Sequence, residues 1–451
     1  MQMVTATFKN ESTKYVLKEN IIYLLSKVFS GILSLLALSL ISYYYSDVEY
    51  GSFSLIVANA NILTITFFYC IKLYYVRFNK NKIFHIQFKE IDSLVNLISI
   101  ILLSISLIFI KIDISYIISA ILAILQIKFE LYQEKQRAEF KALKYLILNI
   151  SKSTLYILLI WAIRSLNIAG NFQLVFTYIT PLLALYTINF NKFSFNIKFD
   201  FEKIKRIYLY GYVFVFTPVS NALLYNYYRN LINIKLGAEN LGGFAYVSDI
   251  CENTVLAAMM AINLSGYPRL IKHYEEKNDE QFEKQSKLNL SFQLVIILTI
   301  LIVYNTLMPF IGGKIFYNSY LTYINNLFLL ILAGSFMKGL KYYYIDQYLL
   351  IFTNKSINVI ATTLYLLISY FTLPILIDKY KIYGATYSFI LSNTIYFLSA
   401  FILFKIKYNR WLLNYKYFLL CLCIITNMLY FGNSLLLYIF TLIVLILITK
   451  K

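Results

Sequence analysis

The chain is a succession of long apolar runs separated by short polar, lysine-bearing stretches. The runs are continuous rather than alternating, and many reach 18 residues or more. This pattern predicts membrane-spanning helices and argues against β-strands. Fourteen spans follow from it. The first six cover 20–42, 53–71, 91–110, 114–131, 146–163 and 171–190. The next six cover 207–234, 243–265, 288–311, 326–352, 357–377 and 383–404. Two shorter ones, 415–431 and 434–449, close the chain. The expected fold class is all-α, a polytopic membrane protein.

Charge then gives the spans a direction. Of 41 basic residues, thirty fall in alternate loops, among them Lys72, Lys128, Lys135, Arg206, Arg269 and Lys405. Six fall in the intervening loops: Lys111, Arg164, Lys235, Lys314, Lys379 and Lys381. The asymmetry puts both termini in the cytoplasm and favours an even number of spans. It also explains the net charge of +19 without invoking nucleic acid. Charged residues make up only 14% of the chain and hydrophobic ones 60%, with mean hydropathy +0.66. A soluble domain carries about 25% charged residues. Cys421 and Cys423 lack companion ligands for zinc, and His85 and His273 sit in polar stretches, so no metal or other cofactor is expected. The abundance of Tyr, Ile, Asn and Lys is also what an AT-rich gene would produce.

A weak internal repeat divides the chain. Tyr50-Gly51-Ser52-Phe53 opens the second span and Leu241-Gly242-Gly243-Phe244 opens the eighth, both after short outer loops. Gly170 and Gly384 stand at the starts of the sixth and twelfth. Two six-helix bundles in the same orientation fit this arrangement, at 1–195 and 196–408, with 409–451 adding two helices. Parallel repeats place the substrate path between the halves.

These junctions resemble those of bacterial polysaccharide flippases. Ser46 to Phe53 is similar to the start of that family's second helix, and Leu236-Gly237-Ala238-Glu239 through Tyr246 to the start of its eighth. Tyr267-Pro268-Arg269 is similar to the end of its eighth helix, and Lys381-Ile382-Tyr383-Gly384-Ala385-Thr386 to the start of its twelfth. The resemblance covers roughly 15–405. It points to an O-antigen or capsule repeat-unit flippase (Wzx-type) of the multidrug/oligosaccharidyl-lipid/polysaccharide superfamily. It implies two bundles around a central cavity, and translocation of undecaprenyl-diphosphate-linked oligosaccharide across a bacterial inner membrane by alternating access. Such a protein is not an enzyme. The resemblance further implies membrane lipids, a polysaccharide polymerase and a chain-length regulator as partners, with the chain as a monomer. A drug or cation antiporter of the same superfamily and a peptidoglycan lipid-precursor flippase are the alternatives.

Charges inside spans mark the candidate site, because a charge at mid-membrane costs about 2.5–3.5 kcal/mol on insertion scales. Lys338 and Lys341 are three apart and share a helix face; with Lys27 they form a candidate binding site for diphosphate. The alternative for each is snorkelling to the interface. For Lys338 and Lys341 that alternative requires a helix ending near Tyr344. Arg229 lies beside a face of Asn226, Asn230 and Asn233, at the depth of Asp249 and Glu252. It reads either as a structural ion pair or as part of a substrate or gating site. Asp249, Glu252 and Asp346 are the candidate coupling groups for a proton or sodium gradient. Gly211 and Pro218 interrupt the seventh span as a hinge or a static kink, and Pro181 does the same in the sixth. Lys152 and Arg164, near the ends of the fifth span, read as snorkelling residues.

Overall fold

The computed structural model describes residues 11–78, 88–108, 113–139, 141–165, 172–189, 201–352, 355–408 and 415–430, with Tyr438 and Thr441. Among the described residues every element is helical. The chain runs through α1 (Glu11–Tyr44), α2 (Asp47–Phe78), α3 (Phe88–Ile108), α4 (Ser115–Ala138), α5 (Ala142–Ser165) and α6 (Gln173–Asn189). It continues through α7 (Phe201–Leu236), α8 (Ala238–Glu275), α9 (Asp279–Ile315) and α10 (Asn318–Leu340). A π-helical turn (Lys341–Ile345) joins α10 to α11 (Asp346–Ile351). Then come α12 (Lys355–Tyr408) and α13 (Tyr415–Tyr430). Seven stretches of described helix are long and apolar enough to cross a bilayer. The chain is a multi-pass membrane protein.

Helix bounds follow local chemistry. Ser46 and Glu49 form a reciprocal cap at the start of α2: the Glu49 amide donates to Ser46 Oγ at 3.3 Å, and the Ser46 amide to Glu49 Oε2 at 2.8 Å. Asn278 caps α9 by accepting from the Gln281 amide at 3.0 Å. The sequence expectation of a helix end at Tyr267-Pro268 is not met. α8 continues through Pro268 to Glu275 and turns only where Lys277 takes a positive φ of 54°. α12 is broken at Lys381 (φ 55°), between the two spans expected at 357–377 and 383–404. Nearly all of the last expected span, 434–449, lies outside the described residues.

The core forms where helices distant in sequence meet. α2 packs along α4, α7 and α8; α1 packs on α5 and α8; α10 packs on α8 and α12. One large cluster of buried apolar side chains joins residues from α1 to α13, and a second joins α2, α3, α4 and the start of α7. At the end of the bundle where α1 turns into α2 and α7 into α8, the two Gly motifs meet face to face. A Cβ on Gly51 would lie 2.3 Å from the Ala238 carbonyl oxygen, and one on Gly242 would lie 1.8 Å from that of Asp47. Asp47 and Gly51 are related to Ala238 and Gly242 by one constant offset along the sequence. The contact is therefore reciprocal, as in a two-fold interface. Only glycine permits backbones this close.

Candidate functional site

Three acid–base pairs occupy the interior of the α7–α12 region, on α7, α8, α10, the π-helical turn and α11. α7 brings Arg229, only 2% exposed, against α8. Its Nη2 lies 3.0 Å from Asp249 Oδ1, and its Nη1 donates to the Ser54 carbonyl on α2 at 2.7 Å. Tyr225, one turn earlier, places its ring 3.9 Å from the guanidinium and donates to Asp249 Oδ1 at 2.9 Å. Tyr50 of α2 donates to the other Asp249 oxygen at 2.5 Å. One carboxylate thus ties α7, α8 and α2 together.

Further along α8, Glu252 meets Lys338 of α10 at 2.6 Å. With Asn221, Ser248, Tyr365 and Phe389 the pair lines a cavity of about 30 Å³, room for about one water. The third pair is Lys341–Asp346, also 2.6 Å. Lys341 is fully buried, donates to Asn358 Oδ1 at 2.8 Å and lies 4.3 Å from the Tyr396 ring centroid, both on α12. Asn358 in turn donates to Thr217 on α7 at 3.2 Å, next to Pro218. The π-helical turn beginning at Lys341 widens the helix at this point. The Tyr343 carbonyl inside it accepts from Gln293 and Gln347, at 2.9 and 2.5 Å.

One sequence expectation changes here. Lys338 and Lys341 do not form one cationic stripe: Lys338 turns to α8 and Lys341 to α12, and each is neutralised by its own carboxylate. An unpaired ammonium at that depth would be far costlier than a paired one. The helix itself runs on to Ile351, with Tyr344, Ile345 and Tyr348 all buried, as the span at 326–352 predicts, so the alternative of a shorter helix ending near Tyr344 falls away. Arg229 pairs with Asp249 and not with Glu252. Lys27 lies on α1, but its side chain is outside the described residues, as is that of Arg164; Gly211 lies within α7. Pro218 lies inside a continuous α7.

The first six helices hold charges that the sequence pattern assigned elsewhere. Lys128, counted with the loop lysines, is 3% exposed inside α4 and bonds Asp92 and Asn96 of α3. Lys72 of α2 meets Glu130 of α4 at 2.7 Å. Both carboxylates were visible in the sequence: Asp92, Lys128 and Glu130 all fall within the spans predicted at 91–110 and 114–131, and Lys72, one residue past the second span, is carried by α2 as it runs on to Phe78. Lys152 is not at a helix end. It lies ten residues past the start of α5, roughly 15 Å along it at 1.5 Å per residue. Its Nζ sits 5.2 Å from the Phe129 ring centroid and 5.3 Å from that of Tyr178.

No protein-family model and no curated protein matches the chain. Solved structures do. The fold is that of transporters of the MOP superfamily. The inward-closed lipid II flippase MurJ superposes with a TM-score of 0.64 at 16% identity, covering 95% of this chain and 98% of that one. An inward-facing multidrug resistance MATE family transporter of the MOP superfamily gives 0.62 at 12% identity, over 86% and 98% of the two chains. A MOP superfamily transporter from Pyrococcus furiosus, described as having a binding pocket of reversed polarity, gives 0.57 at 14% identity, over 87% and 95%. At these identities the likeness establishes the fold. The shared fold is one of transporters and a flippase.

Proposed function

We propose that the protein is a flippase that moves a lipid-linked, diphosphate-bearing oligosaccharide from the cytoplasmic to the outer leaflet by alternating access. One observation carries the choice of an anionic over a cationic substrate. Among the described residues, the carboxylates Asp92, Glu130, Asp249, Glu252 and Asp346 each face a lysine or arginine within ion-pair distance. A drug or cation exporter needs a carboxylate left for its cargo, and these five are already taken. The fold shared with a lipid II flippase supports a lipid-linked cargo, and the junction motifs favour an O-antigen or capsule repeat unit on undecaprenyl diphosphate. An unaided crossing would strip water from every sugar hydroxyl, which a polar path between helix bundles avoids.

In this reading fourteen helices span a bacterial inner membrane with both termini cytoplasmic, and the α1–α2 end of the bundle faces outward. Residues 1–195 and 196–408 rock as two bundles, bending at Gly211 and Pro218, and 409–451 adds two helices. Rocking parts the Gly51–Gly242 seam, and Arg229, Asp249 and Tyr50 form the gate beneath it. Lys27 joins the loading site at the cytoplasmic side, and Lys338–Glu252 and Lys341–Asp346 exchange partners as the bundles move. Proton or sodium coupling acts through Asp249, Glu252 or Asp346. Native mass spectrometry of the purified protein tests the cargo. Undecaprenyl-diphosphate oligosaccharide should be retained, and the same lipid with a neutral linker lost. Equal retention of both lipids contradicts the reading.

A further inference from the structure

The structure assigns Lys152 as the cation that receives the diphosphate of the lipid head group; this inference rests on the proposed function. Inside the continuous helical stretches, away from their ends, six basic side chains are buried or half-buried among the described residues: Lys72, Lys128, Lys152, Arg229, Lys338 and Lys341. Five of them have a carboxylate within ion-pair distance, and Lys152 has none among the described residues. In place of an acid it has two aromatic rings, Phe129 of α4 and Tyr178 of α6. The difference is chemical. A carboxylate neutralises a lysine, whereas ring faces stabilise the ammonium without cancelling its charge. The charge remains available to an incoming anion, and an ammonium suits phosphate as a compact point charge.

Position supports the assignment. Tyr145, Asn149, Lys152, Tyr156 and Ile160 recur at steps of three and four and share one side of α5. Leu143, Ile147, Leu158 and Trp161, each more than half exposed, share the other. Lys152 therefore points into the bundle, and it is half-buried. On one side of it Asn149 bonds Gln133 of α4 at 2.8 Å and Ser26 of α1 at 3.0 Å. On the other, Tyr178 contacts Phe53 at 5.8 Å between ring centroids, Phe53 contacts Tyr50 at 5.8 Å, and Tyr50 bonds Asp249. Lys152 thus stands on a polar and aromatic track that leads across to α8. The rings beside it are also surfaces on which a sugar can stack.

The test is calorimetry on the full-length protein in detergent with three probes: farnesyl diphosphate, inorganic pyrophosphate and farnesol. Wild type should bind farnesyl diphosphate more tightly than pyrophosphate and should not bind farnesol. Lys152→Met keeps the stem between the rings and removes the charge, and should weaken farnesyl diphosphate by about tenfold or more. Lys152→Arg should stay within about threefold. Wild-type binding that Lys152→Met leaves unchanged overturns the assignment while the proposed function stands. No diphosphate binding by wild type overturns the proposed function itself. Equal affinity for pyrophosphate and farnesyl diphosphate overturns the lipid source and points to a soluble diphosphate. A second measurement needs no variant. Farnesyl diphosphate should protect Lys152 from an amine-acetylating reagent, read by peptide mass spectrometry, and undiminished labelling overturns the assignment.

Discussion

Two regions of the interior, the α7–α12 pairs and the surroundings of Lys152 on α5, handle buried charge in opposite ways. In α7–α12 each described interior base is locked to an acid: Arg229 to Asp249, Lys338 to Glu252, Lys341 to Asp346. In α5, Lys152 is held by rings alone. The first arrangement stiffens contacts between helices, because breaking a buried pair leaves an uncompensated charge. The second leaves a charge available to a ligand at the cost of some stability. The contrast separates residues that hold the bundle together from one that can bind.

The largest expected effect breaks the first arrangement. Arg229→Met strands Asp249 in the interior and should destabilise the protein by about 3–5 kcal/mol. The double variant Arg229→Met/Asp249→Asn should recover most of that loss. Thermal unfolding in detergent reads both, and additive losses in the double variant would mean that the two groups do not act as a pair. Next comes the seam. Gly242→Val places atoms where the Asp47 carbonyl sits, and overpacking of this kind typically costs about 1–3 kcal/mol. Spin labels on Ser52 and Glu239 should report a longer distance across the α2–α8 junction in that variant, and an unchanged distance contradicts the closure drawn from the Gly motifs. A smaller effect, about 1 kcal/mol, is expected for Ser46→Ala, which removes one half of the α2 cap. The smallest sharpens the comparison. Lys152→Met should leave the melting temperature close to wild type or raise it slightly, since it removes a charge that lacks an acid. A loss as large as that of Arg229→Met would place Lys152 with the structural pairs.

Much of the architecture could be read from the sequence. The spans appear as apolar runs because a bilayer demands them, and Gly51 and Gly242 mark a junction that the structure closes on itself. Arg229 was placed correctly at the depth of Asp249. What the sequence did not reveal was partnership. Nothing in the spacing of Lys338 and Lys341 shows that α8 and α12 each present an acid or amide to one of them, because those contacts span 86 and 17 residues. Lys128 and Lys152 were misplaced for a related reason. Apolar runs locate the hydrocarbon core, and a lysine within a turn or two of the end of a run, as Lys128 and Lys152 are, looks like a snorkelling residue. Only Phe129, Tyr178 and Asp92, brought in by neighbouring helices, show that these two lysines point inward.

The most direct test of the central claim is transport in reconstituted vesicles. Wild-type protein should carry undecaprenyl-diphosphate oligosaccharide from one leaflet to the other, read as its exposure to an enzyme outside the vesicle, well above the rate in protein-free vesicles. A lipophilic cationic dye should not be carried in the same preparation. Uptake of the dye without movement of the lipid would contradict the account.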